Sequence, residues 1–360
     1  CGETFMRSSH QDKKAPGSGS RVLCRCASGD RDVAKGEDMW SRLAGTVAGL
    51  TMAFGTSGCA LFERTLEPGA ILNDCKGCPE LVVVPPGSFD MGAPGGEEGR
   101  PEGPVRRIDI RAPFAVGRFE ITNAQFENFV DATGYAPAAA CRVWRAGSWQ
   151  YPEDANWRDP GYQRPPMPDE PVACVSWLDA QAYARWLADR TGLAYRLLTE
   201  AEWEYAAKAG TRTAFFWGDD PDQGCLYANM FDLSGAAKWG FDWEPVDCDD
   251  GFAEASPVGA LQPNAYGLHD ILGNVWEWTE DCYIAPYLDS LVDGSAVQSD
   301  GACDRRSVRG GSWITRASRH RTTFRGRDPE DTVFSFFGFR VARDLTAEER
   351  QRFSGSKSQQ

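Results

Sequence analysis

The chain has 360 residues, 42% hydrophobic and 12% aromatic, enough to bury a sizeable core. Its 38 glycines, 22 prolines and 13 tryptophans point to short elements joined by shaped loops and exclude a helical bundle. A net charge of -14 excludes a nucleic-acid partner, whose phosphates need a basic surface, and is compatible with oxygen-rich cation sites.

Residues 1–38 are polar, aperiodic and rich in Gly, Ser and charge, and are expected to lie outside any folded domain. From Met39 a short basic stretch precedes an apolar run at 43–54, and small residues lead to Cys59. This is the pattern of a secretory signal peptide over 39–59, too short for a permanent membrane span. Ser57-Gly58-Cys59 resembles a bacterial lipobox, whose cysteine is lipidated. Thr56 stands where an aliphatic residue is usual, which keeps a non-lipidated signal peptide as the alternative. The expected location is the periplasm or, as a lipoprotein, the outer membrane, with membrane contact only through a lipid at Cys59.

Residues 60–77 read as a linker. Past Cys59 come Cys75, Cys78, Cys141, Cys174, Cys225, Cys248, Cys282 and Cys303, an even set that should pair in an oxidising compartment. Cys75-Lys-Gly-Cys78 reads as a small structural disulfide, because a single C-x-x-C is a poor zinc site. Cys225 with Cys248 and Cys282 with Cys303 would each close a loop, but the connectivity stays open.

Residues 81–84, L-V-V-V, read as a buried strand turned by P-P-G, with a second strand at 88–92. Residues 106–110 alternate as a half-buried strand does. Thr122 and Gln125 form a capping-box pattern before a helix bearing Phe126, Phe129 and Val130, and Gly134 stops it. Residues 135–170 are an aperiodic insertion rich in Pro, Trp and Arg, the kind of loop that carries function or varies. Ser176 and Asp179 open a second helix with the stripe Ala180, Tyr183, Ala184, Leu187. Thr199 and Glu202 open a third, which runs through Ala207 and is ended by Gly210. Beyond it the pattern is loops, short strands and turns, and 345–360 is a polar tail expected to fray. The expected class is α+β, irregular and loop-rich, in one domain over 78–344.

Several segments in order carry a resemblance: V-V-P-P-G-S-F-D-M-G, F-E-I-T-N-A-Q-F, P-V-A-C-V-S-W-L-D-A, R-L-L-T-E-A-E-W-E-Y, G-N-V-W-E-W, and R-G-G-S-W through G-F-R. Together they resemble the formylglycine-generating enzyme, or sulfatase-modifying factor, family over residues 78–344. The resemblance implies a C-type-lectin-like fold with few regular elements. Leu198 stands where the family usually has Pro, which affects how the chain enters the third helix rather than chemistry.

Active members of that family carry two thiols after the G-G-S turn, which bind copper(I) and activate oxygen. The matching positions here are Thr315 and His320, so oxidation of a sulfatase cysteine is not expected, nor is copper or iron as a cofactor. The resemblance also implies two structural calcium sites. In the first, Asn229 and Asp250 give side-chain oxygens, and Met230 and Phe252 give carbonyls. In the second, Asp270 and Glu277 give carboxylates, and Gly273 and Val275 give carbonyls.

The candidate catalytic residues are Ser312, Thr315 and His320, with His320 as a lone base or a pocket-lining group. His269 and His320 with a carboxylate would have the composition of an iron facial triad, but His269 reads as a packing residue. The candidate pocket comprises Trp276, Trp278, Trp313, Arg316, Arg321 and Arg325, since arginines beside tryptophans hold acidic or aromatic ligands. The competing reading pairs Arg321, Arg325 and Arg340 with core acids. The first functional expectation is a periplasmic tailoring oxidoreductase of a small molecule or peptide, because cysteine-less relatives act in pigment or siderophore maturation. The alternative is a non-catalytic ligand-binding lipoprotein that uses the surface around 312–337, a segment some such lipoproteins diversify through retroelements.

Overall fold

Four consecutive apolar residues, Leu81–Val84, are all buried because their strand carries a layer on each face. Leu81 and Val83 join Ala115 and Val341 in one core cluster, while Val82 and Val84 join Phe114, Val116 and Ala342 in another. This period of two is what a strand covered on both sides requires. The computed structural model describes residues 65–289, 292–299 and 303–355; the upstream segment, the signal run and Cys59 lie outside the described residues.

The larger sheet has five strands in the order Ile71–Leu72, Leu81–Val84, Phe114–Gly117, Val341–Asp344, Tyr195–Leu197, all antiparallel. Helices α1 (Asn123–Thr133) and α2 (Trp177–Thr191) send Phe126, Phe129, Tyr183 and Leu187 into the first cluster. Helix α3 (Glu200–Lys208) sends Trp203, Ala206 and Ala207 into the second. Fully burying a side chain such as Phe126 contributes about 2 kcal/mol.

Each of these helices begins where the sequence places it, with reciprocal capping boxes at Thr122/Gln125, Ser176/Asp179 and Thr199/Glu202. Gly134 ends α1 in the left-handed conformation at φ 67°. The end of α3 differs from expectation. Ala209, not Gly210, takes the left-handed cap at φ 43°, and its N–H bonds back to Tyr205. Two further helices carry weaker signals: α4 (Leu233–Trp239), capped by Asp232, and α5 (Ala347–Gly355). The frayed tail expected from 345 is therefore replaced by a helix over 347–355, which buries Phe353.

The linker expected over 60–77 is folded in its described part. Ile71–Leu72 adds an edge strand, and Asp74 takes two hydrogen bonds from Arg343, at 2.7 and 2.9 Å. A second sheet runs Gly326–Asp328, Arg306–Arg309, Trp276–Cys282, Phe337–Gly338, its last pair parallel. The insertion at 135–170 is likewise not structureless. It holds a hairpin, Val143–Arg145 with Ser148–Gln150, turned at Ala146 and Gly147 with φ of 48° and 78°.

All eight cysteines after Cys59 pair, as Cys75–Cys78, Cys141–Cys174, Cys225–Cys248 and Cys282–Cys303. The Cys141–Cys174 bridge clamps the base of the insertion, and closing a loop of that length stabilises by about 3–4 kcal/mol on the chain-entropy view. Four disulfides point to an oxidising, exported environment. Among the described residues no helix is long and apolar enough to cross a membrane.

Candidate functional site

The pairing of Glu277 with Arg309 and Trp278 with Val308 brings Trp276 alongside the Gly310–Gly311 turn. Both glycines take positive φ, 99° and 81°. A Cβ on Gly311 would lie 2.5 Å from Cδ2 of His320, so the close approach of that ring requires glycine. The chain then turns tightly at Ser312–Thr315, where the Thr315 N–H donates to the Ser312 carbonyl at 2.8 Å. A short 3-10 turn, Ala317–Arg319, returns His320 beneath it.

Thr315 and His320 part company here. The Thr315 hydroxyl accepts from Nε1 of Trp276 at 3.0 Å and shares a 2.8 Å hydrogen bond with the Ser312 hydroxyl. It forms the floor of an aromatic cleft of about 130 Å³, walled by Trp149, Trp243, Trp276 and Phe336. Ile314, Arg316 and Arg319 complete the lining. His320 is fully buried instead, with Nε2 and Nδ1 each 3.2 Å from a carbonyl, those of Ser312 and Arg316. Burial pushes its imidazole down to about 4, so it is neutral at pH 7 and donates to only one of the two. The expectation of His320 as a base facing a ligand is corrected: it is a post under the turn.

Of the six expected pocket residues, Trp276 and Arg316 line the cleft. Trp313 is buried against Tyr162 and Trp239, and Trp278 lies in the main core with its Nε1 donating to Val175. Arg321 is held by the buried carboxylate of Glu102 at 2.5 Å. Arg325 is buried and forked onto Glu200 at 2.7 and 2.8 Å. The physical reason is common to both arginines: a glutamate enters the interior only with a cation beside it.

The cleft residues that sequence reasoning missed are Trp149 and Trp243, whereas Phe336 and Arg319 fall within the expected 312–337 surface without being singled out. Trp149 comes from the insertion hairpin, Trp243 from the loop after α4, and Phe336 from the aromatic run at 332–337. The aromatic richness of these loops is visible in the sequence; their convergence is not. Arg319 is committed, forked onto Glu97 at 3.0 and 2.8 Å. Arg316 is exposed, with its guanidinium 5.6 Å above the Trp243 ring.

Two acidic shells lie behind the second sheet. In the first, Asp250 accepts from the N–H of Phe252 at 2.8 Å and of Met230 at 3.3 Å. Burial and the neighbouring Asp232 push its carboxyl up to about 8. Asn229 donates through Nδ2 to the Glu254 carbonyl at 2.7 Å, which leaves its Oδ1 buried without a partner. Cys225 is also close to the two aspartates, but it is spent in its disulfide.

In the second shell, Asp270 sits at φ 54° and accepts from the Gly259 N–H at 2.7 Å, while its Oδ1 has no partner. Glu277 is forked by Arg340 and accepts from Trp203 Nε1 at 2.8 Å. Gly273 lies between the shells, where a Cβ would come within 2.4 Å of the Asn229 carbonyl. Glu120, another buried carboxylate here, accepts from Asn274 Nδ2 and the Val275 N–H at 2.8 and 3.1 Å. It went unread although the F-E-I-T segment contains it.

Among the described residues, Asn229 Oδ1 and Asp270 Oδ1 are the two buried side-chain oxygens that can only accept and that lack a donor. One belongs to each expected calcium set, and a hard cation is the partner such oxygens suit. His269 packs on Phe119 at 5.2 Å, with Nδ1 2.8 Å from the Leu261 carbonyl.

Residues 68–345 match the sulfatase-modifying factor enzyme 1-like domain. The chain is 31% identical over 349 residues to the formylglycine-generating enzyme of Bos taurus, covering 84% of this chain and 89% of that protein. It is 34% identical over 297 residues to the inactive C-alpha-formylglycine-generating enzyme 2 of Bos taurus, covering 73% and 87%. The structure of PvdO from Pseudomonas aeruginosa aligns with a TM-score of 0.64 at 34% identity, over 78% of this chain and 99% of that one. The turn, the cleft and the acidic shells thus sit on a known framework, and the chain belongs to the sulfatase-modifying factor, or formylglycine-generating-enzyme-like, family.

Proposed function

We propose that this protein is an exported, calcium-pinned member of its family that binds a small molecule or peptide in the cleft above Thr315, and is not a copper-dependent sulfatase-cysteine oxidase. The observation that carries the reading is the cleft floor: a threonine hydroxyl bonded to Trp276 and Ser312, where copper(I) chemistry needs paired thiolates. No described cysteine is free to substitute, since all are in disulfides. Nor does His320 serve the cleft as a general base, because it is buried with each ring nitrogen 3.2 Å from a backbone carbonyl and does not line the cleft.

Calcium in the first shell would be held by Asn229, Asp250 and the carbonyls of Met230 and Phe252. In the second it would be held by Asp270, Glu277 and the carbonyls of Gly273 and Val275. Its role would be structural, fixing loops that no helix or sheet holds. Anchoring through a lipid at Cys59 belongs to the same reading.

The experiment is metal analysis of the purified full chain, paired with a copper-supplemented oxidation assay on a cysteine-containing peptide. Two calcium ions and no aldehyde product are expected; stoichiometric copper with aldehyde formation would sink the reading. Mass spectrometry of the exported protein tests the anchor, and an unmodified internal Cys59 rejects it. A second reading, a tailoring oxidoreductase of a small molecule or peptide, is favoured by the 31% identity to a formylglycine-generating enzyme. Oxygen uptake that depends on an added ligand would select it.

A further inference from the structure

The cleft's walls and rim carry more than the statement that something binds. We propose that its ligand is a planar aromatic ring bearing one carboxylate-type negative group. This rests on the reading of the cleft as a binding site and narrows it to a chemical class.

The ring follows from size and walls. A dry cavity of about 150 Å³ accommodates benzene, and this cleft measures about 130 Å³. Its sides are indole and phenyl rings, with Trp149 and Phe336 set edge to face at 5.5 Å. A flat ring fills such a slot through stacked and edge contacts that a saturated ring of the same volume lacks.

The negative group follows from the two arginines at the rim. Arg319 is neutralised by its fork onto Glu97. Arg316, three residues earlier, forms no ion pair with any described carboxylate, and its guanidinium carbon lies 5.6 Å from the centre of the Trp243 ring. A guanidinium without an ion-pair partner at the edge of an apolar slot has the planar, two-donor fork that matches a carboxylate.

The limit to one charge follows from the surroundings. Trp243 and Arg316 also line a second groove of about 700 Å³, together with Asp222, Asp242 and Glu244. Those side chains, on a chain of net charge -14, repel a second negative group. Phosphorylated or polyanionic ligands are therefore selected against.

The test uses the purified full chain and four probes: phenylacetate, cyclohexylacetate, phenylacetamide and phenyl phosphate. Affinities are read by titration calorimetry, and site occupancy by the Trp276 indole N–H resonance. Phenylacetate should bind at least about tenfold tighter than each of the other three. Arg316→Gln should erase the preference over the amide, Arg316→Lys should retain part of it, and Trp149→Ala should erase the preference over the cyclohexyl acid. Arg316 is exposed, so its variants test binding rather than folding.

Equal binding of cyclohexylacetate or phenylacetamide overturns the proposal, as does tighter binding of phenyl phosphate. If phenylacetate leaves the Trp276 signal unmoved while aliphatic amides or sugars shift it, the cleft still binds and only the ligand class is wrong. If no compound shifts that signal, both readings fall together.

Discussion

Glu200 and Glu120 are buried to the same depth, 2% and 1% exposed, yet their carboxyls are driven in opposite directions. Burial pushes Glu200 up, but Arg325, and then Arg309, pull it below the ordinary value. Its neighbour Glu204 is paired with both Arg309 and Lys208, so each of these acids has a cation at hand. Burial also pushes Glu120 up, and the charges of Asp270 and Glu277 add to it, leaving it well above the ordinary value. Arg340 offsets only part of that, for it alone faces three carboxylates there. For its two glutamates the first region is electrically complete within the chain, although Asp281 beside them is pushed up to about 8 by burial and the charge of Glu200; in the second, all three acids are pushed up. Burial sets the cost in both places, and the partner decides the outcome.

The comparison breaks most visibly at the complete region. Arg325→Leu leaves the buried Glu200 with only the more distant Arg309, which Glu204 shares, and should cost about 3 kcal/mol in urea unfolding, with the same loss whether or not calcium is present. A calcium-dependent loss would mean that the two regions are not independent.

His320 sharpens the comparison by a third solution, a titratable group buried neutral. The unfolded histidine takes up a proton below about pH 6.5, whereas the folded one, pushed down to about 4, does so only near that lower pH. The unfolded state therefore binds more protons between these values, and stability falls as pH drops from 6.5 toward 4. The full effect is roughly 3 kcal/mol. His320→Gln should flatten that limb relative to the parent in pH-dependent thermal melts.

At the incomplete region, chelation should act as removal of a partner. With free calcium at about 100 times its dissociation constant, the linkage contribution is about 2.7 kcal/mol per site, read as a loss of melting temperature on adding chelator. Asn229→Ala and Asp270→Ala should each remove part of the calcium response, and melting temperatures indifferent to chelator in the parent would refute the idea. The smallest effect belongs to the cleft rim. Arg316→Gln should change stability by less than about 0.5 kcal/mol, since Arg316 closes no ion pair.

How much of this was legible depended on distance along the chain. The caps at Thr122, Ser176 and Thr199 are four-residue signals, and the structure keeps each one. Thr346 and Glu349 form the same reciprocal pattern ahead of α5, so that helix was readable and was passed over for its polar composition. Helix α4 was harder: it is short, has Gly235 at its third position, and offers no glutamate or glutamine to complete a box. The continuous apolar run Leu81–Val84 is readable as a buried strand, but its partners at 114–117 and beyond are not, because pairing is non-local. The cleft is the extreme case, since its aromatic walls come from residues 149, 243, 276 and 336. The acids show the same divide. Asp270 and Glu277 lie in one motif and were found, while Glu120 reaches them from about 150 residues away.

The strand Val341–Asp344 lies inside the larger sheet, between Phe114–Gly117 and Tyr195–Leu197. Of the described strands it is the latest in chain order, and the two strands it joins, from far earlier in the sequence, are held in one sheet only through it. The larger sheet therefore closes through non-local pairing, and Tyr195–Leu197 cannot join it until residues 341–344 are available. Chains stopped at residue 340 should accordingly remain sensitive to protease, however complete their cleft and acidic shells are in sequence.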